Sequence, residues 1–130
     1  MKKADWIAAL HAYLEEVREV PFKYGTHDCG IFTSGAIQAM TGDDPASVFR
    51  GRYKTHIGAL RAMRKSGFTD QHAIAASLFK EIRPAFASTG DICTMPGSVL
   101  GVCVGDRVAV AGNDCLRFIS ADEIERAFRV

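Results

Sequence analysis

The chain of 130 residues is long enough for one domain with its own hydrophobic core. Its 16 basic and 15 acidic residues nearly balance, which argues against nucleic acid or an anionic membrane as the main partner. No apolar run reaches the roughly 18 residues that a membrane-spanning helix needs. Acidic residues follow the basic Met1-Lys2-Lys3 too soon for a secretory signal, so we expect a protein folded in a cytoplasm.

The first part of the chain carries apolar residues at helical spacing, interrupted by turn and cap residues. This pattern predicts four helices: Asp5–Val17, a segment from Cys29 to Thr41, Thr55–Ser66 and Thr69–Ile82. Thr55 is a good N-terminal cap, and Gly67 is a typical residue for a helix end. We therefore expect a helical first half that ends before Pro84.

The stretch that leads into the second helix reads Tyr24-Gly25-Thr26-His27-Asp28-Cys29-Gly30. Its turn and cap residues predict that Asp28 caps the helix and that Cys29 lies in the first turn. Unpaired backbone N–H groups and the helix dipole favour a thiolate there, which makes Cys29 a candidate nucleophile. The alternative is structural, because Cys29 also shares an apolar stripe with Phe32, and free cysteines are commonly buried.

The loop Arg50-Gly51-Arg52-Tyr53-Lys54 is basic and aromatic, a composition that fits phosphate or nucleic-acid contacts. The alternative is that its arginines neutralise the neighbouring acids Asp43 and Asp44. Because the net charge of the chain is close to zero, we favour the second interpretation.

After Pro84 the apolar period changes to that of short strands separated by glycine-containing turns. Strands are predicted at Asp91–Met95, Val99–Val104, Arg107–Ala111 and Leu116–Ile119. Ser120 to Glu123 has the form of a capping box, which predicts a short C-terminal helix. Helices followed by an antiparallel meander of three or four strands indicate an α+β domain spanning residues 1–130.

The four cysteines are Cys29, Cys93, Cys103 and Cys115. No two of them form a C-x-x-C pair, and their spacing fits neither a structural zinc site nor common iron–sulfur patterns. We expect reduced thiols, because disulfides rarely persist in a cytoplasm. No metal site and no cofactor are predicted, and the weaker alternative is a redox or metal protein that uses the four thiols.

The order of a helix-borne cysteine and a small antiparallel sheet resembles the papain-like cell-wall peptidases of the NlpC type. The stretches that carry the resemblance are Phe22-Lys23-Tyr24-Gly25, Asp28-Cys29-Gly30, Gly90-Asp91-Ile92 and Leu100-Gly101-Val102-Cys103-Val104-Gly105-Asp106. The resemblance implies a papain-like fold with the nucleophile at Cys29. It also implies a histidine base on the strand that faces the cysteine helix.

Nearly the whole chain is also similar to a family of small proteins encoded in phage and prophage tail gene clusters. The resemblance depends on the order of Gly25-Thr26-His27-Asp28-Cys29, Thr41-Gly42-Asp43-Asp44-Pro45, Arg50-Gly51-Arg52-Tyr53, Gly90-Asp91-Ile92, Gly101-Val102-Cys103-Val104-Gly105 and Ala127-Phe128-Arg129-Val130. It implies a tail protein, at the tip beside hub components. Its location would be the host cytoplasm during assembly and then the virion tail, with peptidoglycan as a further partner.

The base that a cysteine hydrolase requires is missing from the predicted sheet. The position that matches the histidine of the NlpC pattern is about Val99, and no histidine follows His72. His27 is a weak candidate base because it lies two residues before Cys29, and His56 or His72 would have to approach from the helical half. We therefore expect a tail component that has lost catalysis. The alternative is a cysteine hydrolase that cleaves peptidoglycan peptides during phage entry.

Overall fold

The computed structural model describes all 130 residues and shows an α+β protein. Its four helices are α1 (Trp6–Val17), α2 (Cys29–Thr41), α3 (His56–Lys65) and α4 (Gln71–Leu78). Its six strands are β1 (Lys80–Ile82), β2 (Ile92–Met95), β3 (Val99–Cys103), β4 (Arg107–Ala111), β5 (Leu116–Ser120) and β6 (Arg126–Arg129). Two 3-10 turns lie at Pro84–Phe86 and Ala121–Glu123. None of the helices is long and apolar enough to cross a membrane.

All strand pairs of the single sheet are antiparallel, in the spatial order β1-β6-β2-β3-β4-β5. Strands β2 to β5 form a meander of neighbours. The last strand, β6, departs from that order because it lies between β1 and β2. The meander was predicted, but the sheet has six strands where three or four were expected.

Helices α1 and α2 cover one face of the sheet. Their buried side chains, including Leu10, Phe32 and Met40, join Ile92 and Val102 of the sheet in one hydrophobic core. A smaller cluster lies on the opposite face, where it includes Cys93, Cys103 and Val108 with Ile124 from the connection before β6. Because the α1–α2 layer fixes α2 against the sheet, the first turn of α2 is held next to β3.

The fourth helix is shorter than predicted. Ile74, Leu78 and Ile82 continue the helical spacing, yet the helix ends at Leu78 and residues 80–82 form strand β1. There Lys80 pairs with Arg129 and Ile82 with Ala127. The unpaired edge of β6 supplies hydrogen bonds to these residues, and this tertiary pairing outweighs a weak helical pattern.

The predicted short C-terminal helix is also wrong. Ser120 does act as a cap, accepting a hydrogen bond from the Asp122 amide, but the helical segment is a single 3-10 turn. The chain then extends as β6, in which Ala127 and Phe128 are fully buried. Insertion of these side chains into the sheet buries apolar area that one exposed helical turn could not bury.

Candidate active site

The turn before α2 places Asp28 as the helix cap. Its carboxylate accepts the amide of Ile31 at 2.8 Å and, across the turn, the amide of Gly25 at 3.0 Å. Gly25 has a φ of +86°, and a Cβ at this position would collide with the backbone carbonyl of Tyr53. Glycine is therefore required by backbone conformation and by close packing at the same residue.

Tyr53 fixes the same carboxylate from the other side. Its hydroxyl donates a hydrogen bond to Asp28, and both burial and this bond raise the pKa of Tyr53 well above its ordinary value. In the same loop, Arg50 forms a two-pronged ion pair with Asp44, at 2.6 and 3.1 Å. The prediction that this loop neutralises an acidic neighbour is confirmed for Arg50.

Cys29 opens α2 and packs against β3. Its Sγ lies 3.0 Å from Nε2 and 3.3 Å from Oε1 of Gln71, the first residue of α4. The same Nε2 donates to the carbonyl of Ser98 at 3.1 Å, so Gln71 links the thiol to the residue before β3. The backbone N–H groups of Leu100 and Gly30 favour the ionised form of the thiol and so lower the pKa of Cys29.

The environment of the thiol differs from the expectation for an activated nucleophile. Burial raises the pKa of Cys29 above its ordinary value, and the hydrogen bonds from Leu100, Gln71 and Gly30 offset that rise only in part. The expectation that the helix N-terminus favours a thiolate at Cys29 stays a prediction, and the burial of the thiol opposes it.

Cys29 lines a cavity of about 510 Å³ between α2, β3 and the two short helices α3 and α4. Most of the lining is apolar, and it includes Leu60, Met63 and Ile74. A cavity of this size accommodates a small molecule or one to two peptide side chains. A second space of about 500 Å³ shares Phe22 and Tyr24 with the first and reaches the exposed Cys115.

The structure does not bring His27 and Cys29 together through a hydrogen bond. The His27 ring is buried and packs edge-on to Phe32, with a centroid distance of 5.7 Å, and its Nε2 has no hydrogen-bond partner. Burial lowers the pKa of His27, which keeps the ring neutral. His56 and His72 line the cavity with Cys29, yet neither donates to or accepts from the sulfur.

Two site residues were missed by sequence reasoning. Gln71 lies 42 positions from Cys29 and belongs to a helix without a motif, so no local signal could identify it. Tyr53 was noticed only as part of a basic loop. Its contact with Asp28 spans 25 positions and depends on the fold.

The other three cysteines lie away from this site. Cys93 and Cys103 are buried in the sheet, whereas Cys115 is exposed in the β4–β5 connection. All four thiols are free, and no group of three or more histidine, cysteine or acidic residues could hold a metal ion.

Together these features define an α+β protein with a cleft in which a helix N-terminal cysteine contacts a glutamine amide. The chain belongs to the family described as a domain of unknown function (DUF6950), whose model matches residues 1–130. No curated protein matches the sequence.

Proposed function

We propose that this protein is a non-catalytic component of a phage tail, with a papain-like domain of the NlpC type whose cleft binds a peptide segment of a partner. The observation that carries the proposal is the identity of the side chain next to the Cys29 thiol. The side chain that contacts Cys29 is the carboxamide of Gln71 at 3.0 Å, and a carboxamide cannot accept a proton from a thiol at neutral pH.

The papain-like assignment is supported by the layout around Cys29. A cysteine in the first turn of a buried helix packs against an antiparallel sheet, and the strand beside it is β3. The family histidine would stand near Val99 at the start of that strand. In this chain the carbonyl of Ser98 holds Gln71 at the same place, so a polar contact with the thiol is retained without a base.

The role in the tail is supported by the motif order across the chain and by the open cleft beside the thiol. The proposed partners are other tail-tip or hub proteins, met first in the host cytoplasm and then in the virion. Mass spectrometry of purified particles tests this role. We expect the protein in tail fractions and impaired tail assembly after deletion; its absence from particles that assemble normally would contradict the role.

A peptidoglycan zymogram tests the loss of catalysis. We expect no clearing by the wild-type protein, by Cys29→Ser or by the matched surface variant Cys115→Ser, while lysozyme clears the same gel. Clearing by the wild type and by Cys115→Ser, with none by Cys29→Ser, would contradict the proposal. Circular dichroism of each variant confirms that a negative result does not come from misfolding.

The second candidate function is a cysteine hydrolase that cleaves peptidoglycan peptides. The observation that favours it is that His56 and His72 line the same cavity as Cys29, so a movement of α3 or α4 would bring an imidazole to the sulfur. The backbone N–H groups of Gly30 and Leu100, which favour the ionised thiol, would then be available to an oxyanion. The zymogram separates this function from the first.

A further inference from the structure

Helices α3 and α4, with the turn between them, line one side of the cleft, and we call this segment the lid (residues 56–78). Few residues of the lid helices are buried. Ala59 is the only buried residue of α3, and Ala75 is the only one of α4. Ile57 and Leu78 are 61% and 51% exposed, although both are large and apolar. Both helices also line the cavity of about 510 Å³, so part of the lid faces this space and not packed side chains.

Both ends of the lid are attached to the rest of the molecule. Before α3, the Tyr53 hydroxyl is bound to Asp28, and after α4 the chain enters β1, which pairs with β6. Between these ends, Met63 and Ile74 pack half-buried against a small cluster around Phe49. An element held firmly at its ends and weakly between them is expected to open without global unfolding.

The polar contacts between the lid and the body of the protein come from one side chain. Gln71 contacts Cys29 Sγ and donates to the Ser98 carbonyl, whereas the other side-chain hydrogen bonds of α3 and α4 stay within the lid and its caps. Gln71 thus covers the thiol and closes the cleft at its polar end.

We propose that Gln71 is an autoinhibitory latch, whose carboxamide occupies the position where a peptide group of the ligand binds beside Cys29. A glutamine side chain ends in the same N–H and C=O groups as a peptide bond. Its Nε2–H satisfies the Ser98 carbonyl, an acceptor that an extended peptide would otherwise use. A bound peptide replaces this donor, the lid lifts, and an apolar side chain of the peptide enters the cavity lined by Leu60 and Met63.

This inference rests on the peptide-binding cleft of the proposed function and deepens it, since it names the contact that the peptide displaces. It depends neither on the location in a tail nor on the loss of catalysis. Cleavage of peptidoglycan by the wild type would overturn the proposed function and leave the latch intact, whereas the experiments below address the latch alone.

The test measures how fast iodoacetamide alkylates Cys29, with the exposed Cys115 of the same molecule as the internal reference. Gln71→Ala removes both latch contacts, and we expect the Cys29-to-Cys115 rate ratio to rise about tenfold. Gln38→Ala is the matched control, because Gln38 is an exposed glutamine on α2, and it should leave the ratio unchanged. Equal ratios in the two variants would overturn the proposal.

A second reagent tests the peptide assignment. Iodoacetamide carries amide N–H groups that can donate to the Ser98 carbonyl, whereas methyl methanethiosulfonate, of similar size, carries none. We expect Gln71→Ala to raise the ratio more for iodoacetamide than for the thiosulfonate. An equal increase with both reagents would show that Gln71 only blocks access, and the assignment of a peptide ligand would be withdrawn.

Hydrogen exchange of the wild-type protein keeps the proposal testable if Gln71→Ala does not fold. Amides of α3 and α4 should exchange faster than those of α2 and β3, because the lid opens by itself. Protection of the lid equal to that of α2 would overturn the proposal.

Discussion

The chemistry at Cys29 is set by the residue that faces it. A glutamine amide donates a hydrogen bond to the sulfur but cannot remove its proton, and burial holds the thiol pKa above its ordinary value. Replacing that one neighbour should therefore change the reactivity of Cys29 more than any change within α2 itself.

The variant Gln71→His should restore an imidazole beside the thiol. We expect the pKa of Cys29 to fall, because an imidazolium partner stabilises the thiolate, and alkylation at pH 7 to accelerate by at least roughly tenfold. The measurement is the pH dependence of the iodoacetamide rate. Gln71→Ala is the control, because it exposes the thiol without supplying a base. Identical midpoints for the two variants would show that the imidazole does not reach the sulfur.

Asp28 matters for stability because three donors converge on one carboxylate. Asp28→Ala removes the cap of α2, frees the Gly25 amide and leaves the half-buried Tyr53 hydroxyl without its acceptor. We expect a loss of about 2–3 kcal/mol in the free energy of unfolding, measured by urea titration. Asp43→Ala, at an exposed position beyond the other end of the helix, should cost less than about 0.5 kcal/mol. A comparable loss in both variants would show that Asp28 acts only as a surface charge.

Residues of this kind were predictable from sequence only where the contact is local. The roles of Asp28 and Thr55 as helix caps could be predicted, because each side chain accepts a hydrogen bond from an amide only three residues further along the chain. Gln71 and Tyr53 reach the site from 42 and 25 positions away, and neither has a composition signal that distinguishes it from a surface residue.

Among the elements, the connection into β2 is closely packed at Gly90. Gly90 has a φ of +95°, and a Cβ there would lie 2.8 Å from Trp6 Cζ3 and 3.1 Å from Met40 Sδ. These contacts place the start of the sheet against α1 and α2. The helical layer can approach the sheet this closely because residue 90 has no side chain.

Gly90→Ala should therefore lower the free energy of unfolding more than an ordinary substitution of a glycine in the left-handed conformation. Gly97→Ala is the matched comparison, because Gly97 has a φ of +83° and the nearest neighbour, Val99 Cγ2, would lie 4.0 Å from the new Cβ. Both variants carry the backbone strain, and only Gly90→Ala adds the steric clash. We expect a further loss of about 1–3 kcal/mol for Gly90→Ala in urea unfolding. Equal losses would mean that Trp6 and Met40 move aside freely.

At this scale the sequence predicted elements with a clear period and failed where pairing partners are distant. Helices α1 to α3 and strands β2 to β5 follow from local spacing and turn residues. Strands β1 and β6 depend on each other across more than forty positions, and each carries a local pattern that also suits a helix. Their assignment requires the tertiary pairing, which outweighs intrinsic preference in short segments.

At the scale of the whole molecule, we expect the free energy of unfolding to depend on pH through His27. Burial lowers the folded-state pKa of this ring, whereas the unfolded ring titrates near about 6.5. Between the two values the unfolded chain binds more protons, so the free energy of unfolding falls as pH falls through that window and is fully restored above it.

The wild-type protein should accordingly be less stable at pH 5 than at pH 7. His27→Gln should reduce this difference, because it removes the titrating group, while His11→Gln at an exposed position should leave it unchanged. The measurement is the urea midpoint of the three proteins at both pH values. If His27→Gln keeps the full wild-type difference between pH 5 and pH 7, another group is responsible for the pH dependence.

The position of β6 inside the sheet also sets the order of events during synthesis. Strand β1 has β6 as its only neighbour, and β6 is translated after the other five strands of this sheet. Until Arg129 emerges, residues 80–82 have no strand to pair with, so the anchor behind α4 is absent while α1 and α2 are already complete. The segment that covers the cysteine-bearing cleft therefore gains its second attachment only after translation has passed this strand.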